Sequence, residues 1–330
     1  MKTRAIRIHA HGGPEVLRYE TLDIENPGAG EVRIRNTAVG LNFIDVYTRT
    51  GLYPVAGLPS GLGFEGAGVV DAIGAGVSHV APGDRVAYAT GPLGACAGMR
   101  IMPAGHVVRL PPEIDERRAA AMMLKGMTAQ YLIHSTYAVK PGDHVLFHAA
   151  AGGVGSIACQ WLNSLGAIVI GTVGSAEKAV IAHARGCAHT INYREEDIAA
   201  RVREITAGEG VPVVYDSVGA ATFEASLDAL RPRGLMVSFG NASGPVPPFA
   251  PAILAQKGSL YLTRPTLFDY VAKRDDLVAS AEHLFAAVIN GAVEIEIGQT
   301  YPLAATADAH RDLEDRKTTG STILIPEDTD

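Results

Sequence analysis

A chain of 330 residues that is 47% hydrophobic and 19% charged has the length and apolar content for two domains, each with a buried core. Its 28 Lys and Arg against 35 Asp and Glu give a formal charge of -7, which removes any global attraction to nucleic acid or an anionic membrane. The 3 cysteines, Cys96, Cys159 and Cys187, lie far apart without CxxC spacing. They specify neither a disulfide framework nor a cysteine-rich zinc site, and a reducing cytoplasm is the expected compartment.

The opening MKTRAIRI alternates charge with aliphatic side chains and lacks the apolar centre of a signal peptide, so it reads as a strand. No stretch approaches the roughly 18 apolar residues that cross a bilayer, and a soluble protein is expected. Up to residue 125, glycines and prolines separate short β-rich runs at 31–39, 66–73, 85–89 and 106–110. From Ala119 the pattern changes. Periodic helices alternate with aliphatic strands at 145–149, 168–173, 190–192, 213–217 and 235–239, the rhythm of a parallel sheet covered on both faces. A Pro-rich loop at 243–251, helices at 275–290 and 305–316 and a strand at 321–325 follow, and this last strand is expected to return to the first domain.

The sharpest local signal is KPGDHVLFHAAAGGVGS at 140–156, a turn, a strand, a glycine corner and the start of a helix. Val154, Ile157, Ala158, Trp161, Leu162 and Leu165 form one apolar stripe, with Gly166 as the stop. The helix therefore begins at the glycines. The backbone at Gly152, Gly153, Val154 and Gly155, with the positive end of the helix dipole, suits the pyrophosphate of a dinucleotide. The loop departs from GxGxxG, since Ala150 stands at the first glycine, and the spacing Ala149-x-x-Gly152-x-x-Gly155 fits better.

An NAD site carries an acid at the tip of the second strand, about 20 residues on. Here the tip reads Gly174-Ser175, Lys178 lies one turn into the next helix, and Tyr193-Arg194 closes the third strand. A missing acid and a nearby cation favour NADPH, whose 2′-phosphate an Asp would repel. The competing reading makes Lys178 a solvated helix residue.

Stretches throughout the chain resemble the zeta-crystallin-like quinone oxidoreductases of the medium-chain dehydrogenase/reductase superfamily, and the bacterial NADPH:quinone reductases most. They are HGGPEVL at 11–17, GLNFID at 40–45, RTGLYP at 49–54, FHAAAGGVG at 147–155, VYDSVG at 214–219, GLMVSFG at 234–240 and KGSLYLTRP at 257–265. The resemblance implies an α/β protein. A Rossmann domain with a doubly wound parallel sheet is expected at 126–266, and a GroES-like, mostly β domain from 1–125 and 267–330, with the active site in the cleft between them. It also implies NADPH-dependent reduction of a small-molecule quinone. Asn42 and Tyr53 are then expected beside the nicotinamide as catalytic groups, Asn42 touching the cofactor too. Lys125, Thr128, Ser217 and the Phe239-Gly240 turn are expected on the cofactor, with Arg264 and Arg316 as cations for its phosphates. In the competing readings Asn42 caps a turn and Tyr53 is a half-buried residue before Pro54.

Zinc alcohol dehydrogenases of the same superfamily carry a ligand cysteine in Gly-x-Cys-x-x-Asp and a histidine in Gly-His-Glu. This chain has Asn42 and Phe64 at those places and no four-cysteine lobe, so no metal is expected. Many relatives read GAYAEY where this chain has GACAGM at 94–99, which makes Cys96 either a pocket liner or a small buried thiol. His148 in its buried strand reads as a core histidine, and Asp216 and Glu65 as structural carboxylates. The segment at 258–263, following the strand at 235–239, offers an edge for a homodimer. Rival readings are an NADPH-dependent enone or alkenal reductase and, in another class, a nucleotide-binding crystallin-like or RNA-binding protein, the latter disfavoured by the net charge.

Overall fold

The structure, a computed structural model, describes residues 1–327. The chain forms two compact units, one of Met1–Met127, Val271–Ile289 and the chain from Ile295 onward, the other of Thr128–Tyr270 with Asn290–Glu294.

In the first unit, strands β1 (Lys2–Ile8), β2 (Leu17–Asp23), β3 (Glu31–Leu41), β4 (Ser60–Gly61), β5 (Glu65–Ile73), β6 (Arg85–Tyr88), β7 (Met99–Pro103) and β8 (Val108–Arg109) build two sheets. β1 sits between β2 and β4 in a small antiparallel sheet. The larger sheet runs β3-β5-β6-β8, with β7 also pairing β3. Val32, Ile34, Val39, Leu41, Val70, Val86, Tyr88 and Met102 fill its core. Helix α1 (Phe43–Thr50) follows β3 directly, and α2 (Glu116–Tyr131) leads toward the second unit. The strand expected at 106–110 is shorter. Ala104–His106 form a 3₁₀ turn, closed by Val107 N–H donating to Ala104 O at 3.1 Å, and only Val108–Arg109 pair with β6.

The second unit alternates β9 (His144–Phe147), α3 (Gly153–Ser164), β10 (Ile168–Val173), α4 (Ala176–Ala184), β11 (His189–Asn192), α5 (Ile198–Ile205), β12 (Val211–Asp216), α6 (Phe223–Ala229), β13 (Leu230–Ser238) and β14 (Tyr261–Thr263). All six strands are parallel in the order β11-β10-β9-β12-β13-β14, the doubly wound order whose direction reverses between β9 and β12. Every residue of β12 is buried, as expected for a strand covered on both faces. Ile157, Ala158, Trp161 and Leu162 bury the apolar stripe of α3, and Gly166 ends it at φ +80°.

The chain then returns to the first unit as β15 (Ile297–Pro302) and β16 (Ser321–Ile325). β16 runs antiparallel to β3 and parallel to β15, so the last strands join the larger sheet of the first unit, beside β3.

Candidate functional site

The carboxyl edge of the parallel sheet gathers one group of residues. Past β9, Ala149 takes a left-handed conformation at φ +53°, and the chain doubles back so closely that a Cβ on Gly155 would strike Ala149 O. Gly152 is the N-cap of α3 and brings no side-chain oxygen. The first-turn amides of Gly153, Val154 and Gly155 thus receive no acceptor from the cap, and the partial positive charge of the helix end stands open to an anion.

At the tip of β10, Ser175 caps α4 by accepting from Lys178 N–H at 3.3 Å. The hydroxyl also draws the Glu177 carboxyl below its ordinary pKa. Much of Ser175 is therefore committed to starting the helix. Lys178 is half-buried, and the Tyr193 hydroxyl lies where a Cβ on Gly174 would be 2.6 Å away. At the ends of β12 and β13, Phe239 N–H donates to Asp216 O at 2.7 Å, and Gly240 packs on the Ser217 backbone so tightly that a Cβ would lie 2.5 Å from Ser217 O. Arg264, just past β14, is exposed at the same edge.

A buried chain of hydrogen bonds braces this edge. Ala149 N–H donates to Thr172 Oγ1 at 3.3 Å, and that oxygen lies 3.0 Å from His148 Nδ1. His148 Nε2 lies 2.9 Å from Ser226 Oγ, which donates to Asp216 Oδ2 at 2.8 Å. Since Ser226 spends its proton on Asp216, it accepts from His148, so the imidazole carries its proton on Nε2 and Nδ1 accepts from Thr172. Burial holds the His148 pKa below its ordinary value, keeping the ring neutral. The histidine joins the glycine corner to the β12 turn, where Asp216 Oδ1 also accepts from Val218 and Gly219 N–H at 2.7 and 3.0 Å.

The first unit holds a second group around one carboxylate. Glu65, fully buried at the start of β5, accepts from Leu124 N–H at 2.8 Å on Oε1, and from Asn42 Nδ2 at 2.7 Å and Lys125 Nζ at 3.3 Å on Oε2. Gly40 makes this possible, since a Cβ there would strike both Ala120 O and Glu65 Oε2. Asn42 is the N-cap of α1 and closes a capping box with Asp45, whose Oδ2 accepts from Asn42 N–H at 2.8 Å. Asp45 Oδ1 is buried without a partner, and burial pushes the Asp45 pKa up to about 7 against the pull of the Asn42 bond and the nearby Lys125 charge. Tyr53 is half-buried, its N–H on Tyr47 O at 3.0 Å and its ring 5.1 Å from that of Tyr47, which in turn lies 5.4 Å from Phe43. Arg49, at the far end of α1, is locked by Glu314 at 2.7 and 2.8 Å and by Gly12 O at 3.1 Å.

Thr128, 7% exposed on α2, and Arg316, exposed after the helix Thr306–Glu314, stand in neither group. The central role of Glu65 and the isolated acid Asp45 were not evident in the sequence. The available signal was the three-residue spacing of Asn42 and Asp45, a helix-start pattern. Cys96 is fully buried against the backbone of Gly63, in the hydrophobic core.

A catalytic zinc does not fit this second group. Both oxygens of Glu65 are engaged by N–H donors, one of them a cation, while Asn42 and Phe64 offer neither thiolate nor imidazole. Among the described residues no cluster of three or more His, Cys, Asp or Glu is arranged to hold a metal ion.

Two family models match the chain, the alcohol dehydrogenase GroES-like domain at residues 28–139 and the zinc-binding dehydrogenase at residues 153–272. A quinone oxidoreductase of Pseudomonas aeruginosa is 55% identical over 323 residues, 98% of this chain and 99% of that protein. The crystal structure of Escherichia coli quinone oxidoreductase complexed with NADPH is similar with a TM-score of 0.97 at 51% identity, covering 98% of this chain and 100% of that one. A 2-haloacrylate reductase of Burkholderia sp. is 46% identical over 326 residues, 97% of this chain and 98% of that protein. With two such units and full-length identity above one half, the chain belongs to the quinone oxidoreductase family of the medium-chain dehydrogenase/reductase superfamily.

Proposed function

We propose that the protein reduces quinones with NADPH. The observation that carries this reading is the open helix end at Gly152–Gly155 on the carboxyl edge of the parallel sheet, flanked by Lys178 and lacking an acid at the tip of β10. A pyrophosphate fits against the first-turn amides, which lack a side-chain cap. Lys178 and Tyr193, beside Gly174 and Ser175, then receive the 2′-phosphate. Ser217, Phe239 and Gly240 hold the cofactor further along the edge, with Lys125, Thr128, Arg264 and Arg316 as additional contacts. When bound, NADPH supplies reducing equivalents from its nicotinamide.

Asn42 and Tyr53 border the substrate in this reading. The positions that hold zinc ligands in the metal-dependent relatives carry Asn42 and Phe64 here, so the substrate must accept electrons without a Lewis acid to polarise it. Quinones meet that demand. The chain's own tasks are to orient the two partners and to keep bulk water from the reacting atoms.

Two further parts of the reading concern setting. β14 is an edge strand with Tyr261 63% and Leu262 36% exposed, which supports a homodimer through this edge. Light scattering at micromolar concentration is expected to give twice the chain mass. Three buried free thiols suit the reducing cytoplasm.

The test is NADPH oxidation followed with ortho- and para-quinones, enones, alkenals and alcohols. Turnover is expected with quinones, and activity confined to enones or alcohols overturns the reading.

A further inference from the structure

We infer that Lys125, rather than Asn42, presents the proton-bearing group that meets the reduced quinone oxygen, with Glu65 and Asn42 as its brace. The inference rests on the proposed quinone reduction and assigns a role within that site.

A carboxylate only accepts, so the 2.7 Å contact with Glu65 fixes the Asn42 amide with its NH₂ toward Oε2. The second proton of that NH₂ faces Gly40 O at 3.4 Å, and the side chain and backbone N–H close the capping box with Asp45. Asn42 is committed within its own unit. Lys125 has three N–H groups. One reaches Leu41 O at 3.1 Å and one Glu65 Oε2 at 3.3 Å, which leaves the third without an acceptor among the described residues. Glu65 is also held by Leu124 at 2.8 Å and Asn42 at 2.7 Å, so its oxygens are shared rather than given to the ammonium alone.

Quinone, NADPH and one proton yield hydroquinone and NADP⁺. The hydride brings two electrons and one proton, and the oxygen left negative takes its remaining proton from solvent. Lys125 keeps its own proton. Its charge, 7% exposed and removed from competing water, faces the negative oxygen and stabilises it far more than the same charge would in solution. Glu65 on β5 contacts it, and Asp45 on α1 lies close enough to feel its charge.

Lys125→Met tests this directly. We expect kcat with a benzoquinone at saturating NADPH to fall about 30-fold or more, as for loss of one stabilising donor, beyond any loss of NADPH affinity, which cofactor fluorescence reads separately. Lys125→Arg should restore part of the rate. Glu65→Gln removes the counter-charge but keeps the Lys125 ammonium, so it should retain more of kcat than Lys125→Met. If Lys125→Met does not fold, the double variant Lys125→Met with Glu65→Gln removes both buried charges and should show the same loss of kcat. A kcat within threefold of the unaltered protein, or a loss confined to NADPH binding, overturns the inference alone. Absence of quinone-dependent NADPH oxidation by the unaltered protein overturns the functional reading together with it.

Discussion

Each unit buries a carboxylate at the heart of its group, and the two are satisfied differently. Asp216 accepts four neutral donors, from Val218 N–H, Gly219 N–H, Thr222 Oγ1 and Ser226 Oγ. Glu65 shares its acceptors between two neutral donors and the Lys125 ammonium, and Asp45 beside it has one oxygen bonded and one bare. A carboxylate saturated by fixed neutral dipoles builds a rigid turn. One that shares its oxygens with a buried cation leaves that cation a donor to spare, and one left half-satisfied becomes a titrating group.

Removing the saturated carboxylate should have the largest effect. Asp216→Ala removes a fully buried acceptor from two hydroxyls and two amides, leaving Thr222 Oγ1 only its longer bond to Gly219 O at 3.3 Å, and should cost about 3–5 kcal/mol in denaturant unfolding. A cost below about 1 kcal/mol would mean the turn is held by packing alone.

The half-satisfied member should speak through pH. Asp45 rises from an ordinary 3.8 to about 7 in the folded protein, so the folded state binds more protons than the unfolded state between those values. Stability is therefore full below about pH 4 and falls as pH rises toward and through 7, a loss on the order of 4 kcal/mol at about 1.4 kcal/mol per pH unit. Asp45→Asn, which cannot ionise, should remove this slope from a series of unfolding curves, and an unchanged slope assigns it to other groups.

A smaller effect sharpens the contrast between buried and partly exposed charge. Lys178→Ala should lower kcat/KM for NADPH about tenfold, or about 1.4 kcal/mol, and leave NADH nearly untouched. Equal losses for both cofactors would make Lys178 a residue of the helix rather than of the phosphate site.

The sheet and its helices were legible where periodicity is local. The stripe on α3 and the final strand 321–325 are examples, since each rests on spacing within a few residues. The side-chain network was not. Asn42 finds Glu65 23 residues on, Lys125 finds it 60 residues back, and His148 reaches Thr172 and Ser226 at separations of 24 and 78. Such pairings follow from strand order, which sequence spacing does not encode. At Gly174 the sequence suggests an acid as the way to reverse cofactor choice, yet the Tyr193 hydroxyl fills that space and would have to move first.

The placement of β16 gives the protein a particular order of assembly during synthesis. All six strands of the second unit lie between His144 and Thr263, so its sheet can close once that stretch has emerged. The carboxyl end of β3, Val39–Leu41, pairs with Thr322–Leu324 and must wait with an open edge while nearly the whole chain is made, on the order of tens of seconds at about 5–20 residues per second. That edge leads into Asn42, its Leu41 carbonyl receives Lys125, and Ser321 Oγ ties the arriving strand to Ala121 O on α2 at 2.7 Å. The Glu65 group is thus among the last parts to be locked, and a chain that ends before residue 321 has a complete parallel sheet and an unsealed Glu65 group.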